Sequence, residues 1–290
     1  MSVVISELTV RYGDVTAVDS LSFSLSGNKI YGLLGRNGSG KTSLMSVLAA
    51  YRKQTSGTVL VDGEPVFENG RATSGICLVR QSGDAADKGD KLSDALWYAS
   101  TLRAGWDAEC ASSLVDLFQL PLKKKFGELS LGQRSAFGVV IGLASRAPLT
   151  MFDESHLGMD TPSRYKFYDA LLSDFMANPR TVIVSTHLIE ELSGLLEEVV
   201  IIDSGRLVLH EETEAVRSRG TSVTGPASAV DDFVSDLTVL NQKSLGPTKS
   251  AMVYGTLSAD RRALAHSSGL DLGPIALQDL FVHLTEGAPR

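Results

Sequence analysis

Gly35-Arg36-Asn37-Gly38-Ser39-Gly40-Lys41-Thr42 sets its glycines, lysine and threonine at the spacing G-x-x-x-x-G-K-[ST]. That spacing makes a socket for polyphosphate. The glycines let the backbone bend so that successive N–H groups converge. A helix starting at Thr42 adds its positive dipole end. Lys41 then reaches the β- and γ-phosphates of a nucleoside triphosphate, and the Thr42 hydroxyl holds Mg²⁺. A turn that bound nothing would have no need of Lys-Thr at the helix start.

Further candidate chemistry lies at the ends of apolar runs. Leu149 to Phe152 reads as a strand that ends in Asp153-Glu154. Adjacent strand residues face opposite sides, so one carboxylate can hold Mg²⁺ through water while the other accepts a proton from an attacking water. Thr181 to Thr186 is a second apolar strand, ended by His187, which reads either as structural or as a γ-phosphate contact. Gln81 follows the strand Gly75–Val79, and its amide reads as a Mg²⁺ ligand or as an unspecific strand end. Ser130 with Gln133 three residues on fits a helix capping box. The same Ser130, Gly132 and helix start would also present a hydroxyl and N–H groups to an anion. Tyr12, before the Gly13-Asp14 turn, is either core or an exposed ring that stacks on a base.

These groups need a scaffold that gathers strand ends. The flanks of the glycine-rich loop read as a buried strand (Lys29–Leu34) and a helix (Thr42–Ala50) with Leu44, Val47 and Leu48 on one face. Alternating apolar residues over 1–34 predict several strands, and Ser56–Pro65 predicts a hairpin turning at Asp62-Gly63. Between Ser82 and Ala147 the periodicity becomes helical, over Leu92–Arg103, Asp107–Phe118 and Leu131–Ser145. The sheet then resumes, with helices expected over Pro162–Met176 and Leu188–Leu196 and a strand pair over Val199–Leu209. Strands alternating with helices imply a parallel α/β sheet. From about Thr221 onward, short alternating strands and helices predict a small α+β appendage.

The chain has 290 residues, 43% hydrophobic and 21% charged, with a formal net charge of −7. That balance suits a globular protein of one or two domains and gives no electrostatic reason to expect nucleic acid as a partner. Lys123-Lys124-Lys125 reads as a solvated loop. The two cysteines, Cys77 and Cys110, lack metal-ligand spacing and are expected as reduced thiols in a cytosolic protein. The apolar run Ala136–Ala144 falls far short of the roughly 20 residues that span a bilayer.

Taken in order, the phosphate loop, Gln81, Leu129-Ser130-Leu131-Gly132-Gln133, apolar-Asp153-Glu154 and Ser185-Thr186-His187 resemble the nucleotide-binding subunit of ABC transporters over roughly residues 1–212. The resemblance implies a P-loop NTPase core, a RecA-like parallel sheet with an antiparallel β subdomain, over 1–81 and 148–212. It also implies an inserted helical subdomain over 82–147, followed by an α+β extension over 213–290. Gly35, Asn37, Gly38, Ser39, Gly40, Lys41, Thr42 and Ser43 match Walker A, and Tyr12 looks like the aromatic that stacks on adenine. Asp153 matches the Walker B aspartate, and Thr42 and Gln81 match the other Mg²⁺ contacts. Glu154 matches the general base, His187 the switch histidine and Asp160 the D-loop aspartate. Ser130, Gly132 and Gln133 match the signature motif, which in the family meets ATP held by a second subunit in a head-to-tail dimer. Leu131, Ser155 and Met159 depart from the usual glycine, proline and leucine. The resemblance implies an ATPase using ATP and Mg²⁺, held at the cytoplasmic face of the cell membrane by a separate permease that docks on the 81–127 segment. The tail from Pro274 to Thr285 is similar to the endings of ATPases serving bacterial ABC-2 type exporters. An importer ATPase and a soluble ABC ATPase acting on ribosomes or repair complexes are the alternatives.

Overall fold

The computed structural model describes residues 1–80 and 85–286, so Gln81 lies outside the described residues. Two compact units emerge, one of Met1–Leu188 with Leu195–His210 and one of Ile189–Gly194 with Glu211–Arg290.

The first unit begins with β1 (Ser2–Tyr12), β2 (Val15–Ser26), β3 (Ile30–Leu34) and α1 (Lys41–Leu48). Next come β4 (Ser56–Val61), β5 (Glu64–Pro65), α2 (Gly70–Thr73) and β6 (Ile76–Arg80). A helical segment follows, with α3 (Leu92–Leu102), α4 (Ala108–Leu117) and α5 (Leu131–Ala144). The chain returns through β7 (Leu149–Asp153), α6 (Thr161–Ala177), β8 (Thr181–Thr186), β9 (Glu198–Asp203) and β10 (Arg206–Glu212).

One sheet has the order β2-β1-β4-β5 and is antiparallel; a second has the order β10-β9-β3-β8-β7-β6. In the second sheet β3 pairs in parallel with β8 and β9, and β7 pairs in parallel with β6 and β8. Every residue of β3, β7 and β8 is buried. Strands covered on both faces read as continuous apolar runs, which is why these segments lack alternation. Leu44, Met45, Val47 and Leu48 of α1 share one buried cluster with Val3, Leu21 and Val59 of the first sheet and Met151, Ile183 and Val200 of the second. The helix that follows the glycine-rich loop is therefore gripped from both sides.

The second unit comprises α7 (Ile189–Leu192), α8 (Thr213–Arg217), β11 (Gly220–Pro226), α9 (Ala227–Val234) and β12 (Thr238–Leu245). It continues with β13 (Thr248–Tyr254), α10 (Ala259–Ser267), β14 (Asp271–Pro274) and α11 (Leu277–Glu286). Its sheet runs β12-β13-β11-β14 with antiparallel neighbours, a split β-α-β arrangement. Val223, Val230, Phe233, Ala251, Val253 and Leu270 form its core. The helix expected over Leu188–Leu196 is a single turn, α7, with Gly194 just beyond it. Glycine is a poor helix interior residue, and the turn is held within its own unit, where the Gln278 N–H donates to Glu190 Oε1 at 3.3 Å.

Candidate nucleotide site

Parallel register brings the predicted residues to one end of the six-stranded sheet. Leu34 at the end of β3 lies opposite Thr186, and Asp153 at the end of β7 lies opposite Ser185. The glycine-rich loop, Asp153-Glu154 and His187 therefore leave the sheet side by side.

The loop needs its glycines. Gly40 caps α1 with φ 104°, and a Cβ there would meet the Ala17 carbonyl oxygen at 2.4 Å. A Cβ on Gly35 would meet the Ile202 carbonyl oxygen at 2.6 Å. Gly40 provides no side-chain cap, so first-turn N–H groups of α1 are available to an anion. Lys41 is 5% exposed, and its Nζ donates to the carbonyls of Gly35 at 2.7 Å and Arg36 at 3.2 Å.

Ser185 holds the two carboxylate residues. Its hydroxyl donates to Asp153 Oδ1 at 2.7 Å and accepts the Glu154 N–H at 3.0 Å. Glu154 is left-handed, with φ 48°, a conformation that a non-glycine residue keeps only where its surroundings enforce it. Its Oε1 lies 3.4 Å from Lys41 Nζ and 3.6 Å from His187 Nδ1. Directly behind, His156 Nε2 meets Thr186 Oγ1 at 3.0 Å, and that oxygen also accepts the Leu188 N–H at 2.8 Å. His156 is fully buried, and sequence reasoning gave it no place.

Thr42, Asp153 and Tyr12 line one cavity of about 460 Å³, together with Ser46, Tyr51, Arg52 and Arg80. Tyr12 is 44% exposed, so it is a surface ring and not core. One hydroxyl and one carboxylate suit Mg²⁺, which keeps several waters and takes few protein oxygens.

Ser130, Gly132, Gln133 and Asp160 line a different cavity, of about 500 Å³. Ser130 caps α5: its Oγ accepts the Gln133 N–H at 3.2 Å, and the Gln133 Oε1 accepts the Ser130 N–H at 3.1 Å. Asp160 caps α6, accepting the Ser163 N–H at 3.0 Å. The hydroxyl and N–H of Ser163 hold its carboxyl below the usual aspartate range.

Residues 18–156 match the ABC transporter family model. A Nod factor export ATP-binding protein I of Burkholderia orbicola is 32% identical over 205 residues, covering 68% of this chain and 66% of that relative. Residues 18–156 are therefore an ABC transporter domain. The cassette spans just under two thirds of that relative's length. A second relative, the ABC transporter ATP-binding protein YtrB of Bacillus subtilis, is 25% identical over 189 residues, 64% of each chain. The solved ATP-binding subunit of an ABC transporter shares the cassette's fold, with a TM-score of 0.66 over 75% of this chain and 92% of that one at 17% identity. A dimeric post-hydrolysis ATP-binding cassette bound to ADP and Pi matches with a TM-score of 0.64 over 73% and 98% at 18% identity. In this cassette Leu131 is 50% exposed beside the Ser130 cap, whereas Ser155 and Met159 are buried.

Proposed function

We propose that this chain is the ATP-binding and hydrolysing subunit of an ABC transporter that powers a separate transmembrane permease, for export. The observation that carries this reading is the meeting of Lys41, Glu154 and His187 at one carboxylate oxygen beside the cavity lined by Thr42 and Asp153. Export rests on the Nod factor export relative and on the tail's similarity to exporter ATPases.

In this mechanism the triphosphate lies along the loop 35–43, with adenine on Tyr12. Lys41 exchanges the carbonyls of Gly35 and Arg36 for β- and γ-phosphate oxygens. Thr42, Asp153 and Gln81 would hold Mg²⁺, which would supply charge neutralisation to the triphosphate. Water gives a proton to Glu154 as its oxygen bonds the γ-phosphorus. The bond from that phosphorus to the bridging oxygen breaks, and its electron pair leaves on ADP. His187 orients the γ-phosphate. Once the phosphate is free, the contacts that favoured the closed state are gone.

Ser130, Gly132, Gln133 and Asp160 line a cavity of their own, which supports a head-to-tail pair in which each protomer's signature corner covers its partner's triphosphate. The helical segment offers an apolar groove of about 370 Å³ lined by Leu96, Trp97, Trp106, Val115 and Leu122, with Trp97 61% exposed. That is the docking face proposed for a cytoplasmic helix of the permease. In this reading the permease holds the chain at the cytoplasmic face; no helix among the described residues is long and apolar enough to cross a membrane. The test is Mg²⁺-dependent release of phosphate from ATP by the purified chain, with Lys41→Ala as control. An ATP-dependent monomer-to-dimer shift by light scattering tests the pairing. A chain that neither binds nor cleaves ATP overturns the reading.

A further inference from the structure

The two ends of α1 are tied to different parts of the proposed nucleotide site. At its start Lys41 and Thr42 face the phosphate loop. At its other end the Ser46 carbonyl accepts the N–H groups of Tyr51 at 2.9 Å and Arg52 at 3.2 Å, fixing the segment that carries Arg52. That segment is strapped to the end of β1 at three points. Arg52 Nη2 donates to the Arg11 carbonyl at 2.6 Å, the Arg11 N–H donates to Thr55 Oγ1 at 2.9 Å, and the Thr55 N–H donates to the Thr9 carbonyl at 2.8 Å. Between these straps the Arg52 guanidinium lies over the Tyr12 ring, its Cζ 3.7 Å from the ring centroid. Arg52 Nε is sealed from solvent with no hydrogen-bond partner among the described residues.

We propose that Arg52 is a positioning residue for the nucleotide base, holding Tyr12 from behind so that the ring's free face receives a purine. The assignment rests on the reading of this site as a nucleoside triphosphate site. Its physical basis has two parts. First, a cation on one face of a phenol draws electron density away from the other, which favours stacking of an electron-rich base. Second, a ring already fixed by a stacked guanidinium has less freedom to lose when the base arrives. Because Arg52 hangs from the same helix that presents Lys41, the spacing between base platform and phosphate socket is set by α1 itself. Lysine would keep the charge but lose the planar stack.

The test uses the full-length chain, wild type and with Arg52→Ala, Arg52→Lys, Tyr12→Ala and the Arg52→Ala/Tyr12→Ala pair. Dissociation constants are measured for ATP and for inorganic tripolyphosphate, which has no base. Arg52→Ala should weaken ATP by about three- to fivefold, the size of a partly exposed cation–π contact, and leave tripolyphosphate binding unchanged. Arg52→Lys should fall between. KM for ATP should rise while kcat holds, and Arg52→Ala should have no further effect once Tyr12 is alanine. Unchanged or tighter ATP binding by Arg52→Ala would overturn the proposal, the tighter case meaning that the guanidinium occupies the base's own seat. An equal loss for tripolyphosphate would overturn it too, since Arg52 would then be acting through α1. If the wild-type chain bound neither ligand, the nucleotide reading would fall, and this assignment with it.

Discussion

Glu154 Oε1 stands 3.4 Å from Lys41 Nζ, and His187 Nδ1 reaches the same oxygen at 3.6 Å. Glu154→Gln should therefore do two separable things. It removes the proton acceptor, so turnover should fall by about a hundredfold or more. It also removes the negative charge nearest Lys41, so ATP should bind as tightly or more tightly. Single-turnover phosphate release and equilibrium titration with ATP check the two arms. Turnover at the wild-type rate would refute Glu154 as the base.

Ser185 ties the Asp153 carboxylate to the Glu154 backbone through one hydroxyl, donating to Asp153 and accepting from the Glu154 N–H. Ser185→Ala leaves the buried Asp153 carboxylate short of a donor, at a cost of about 1–3 kcal/mol, while the Glu154 N–H keeps the Ser185 carbonyl at 3.3 Å. The expected result is a drop in kcat of about tenfold and a lower melting temperature, with ATP affinity close to wild type. Ser185→Thr, which restores the hydroxyl, should recover most of the rate. A Ser185→Ala enzyme of normal kcat would show that the strained Glu154 needs no such support.

Ser130 has two uses to be separated, the cap of α5 and the proposed contact with a partner's phosphate. Ser130→Ala should cost about 1 kcal/mol of stability through the lost cap. Ser130→Asp keeps an acceptor for the Gln133 N–H and suits the helix dipole, so the melting temperature should hold. Its carboxylate would repel phosphate, and the ATP-dependent dimer should vanish in a light-scattering assay. Dimerisation by Ser130→Asp at wild-type ATP concentrations would argue against the trans contact.

How far the sequence could be read depended on whether an element carried its own signal. The β3–loop–α1 unit was legible because Gly40 and Lys41 are demanded locally by backbone angle and charge. The fully buried strands β7 and β8 were legible as apolar runs ending in Asp153 and His187. Arg52 and Ser185 were not legible as site residues, because their roles come from long-range approach. Arg52 lies over Tyr12 from 40 positions away, and Ser185 bonds Asp153 from 32 positions away. His156 left no periodic or spacing signal either, since its partner Thr186 is 30 positions away. The second unit's strands and helices could be anticipated, but their order β12-β13-β11-β14 is set by pairing between segments whose short alternating runs look alike.

Asp174 sits between two guanidinium groups, accepting from Arg180 Nη2 at 2.6 Å and from Arg146 Nη1. The side chains of Arg180 and Asp174 are each 7% exposed. Burial, with the nearby Arg146 charge, pushes the Arg180 guanidinium down to about 10, so its charge is held in place at a cost. Asp174→Asn removes the compensating charge and should destabilise the chain by about 3 kcal/mol, the usual loss when one partner of a buried ion pair is deleted. Chemical denaturation measures it, and a midpoint within error of wild type would show that water reaches this network freely.

Asp107 offers a pH-dependent test at the exposed end of the same network. It caps α4 by accepting the Cys110 N–H at 2.8 Å, and it accepts from Arg146 Nη2 at 2.7 Å. The Cys110 N–H first, then the Arg146 guanidinium, hold its carboxyl below the usual aspartate range. A carboxyl whose folded value is depressed stabilises the fold fully above its unfolded value of about 3.9 and loses that contribution as pH falls through the folded value. Asp107→Asn keeps an oxygen for the cap but cannot carry the charge. At pH 7 the variant should melt about 1–3 °C below wild type. As pH is lowered from about 4 toward 2 the wild-type carboxylate takes up its proton, and the two melting curves should converge. A gap that stayed constant over that range would place the stabilisation in the neutral cap geometry, with no share for the charge on Asp107.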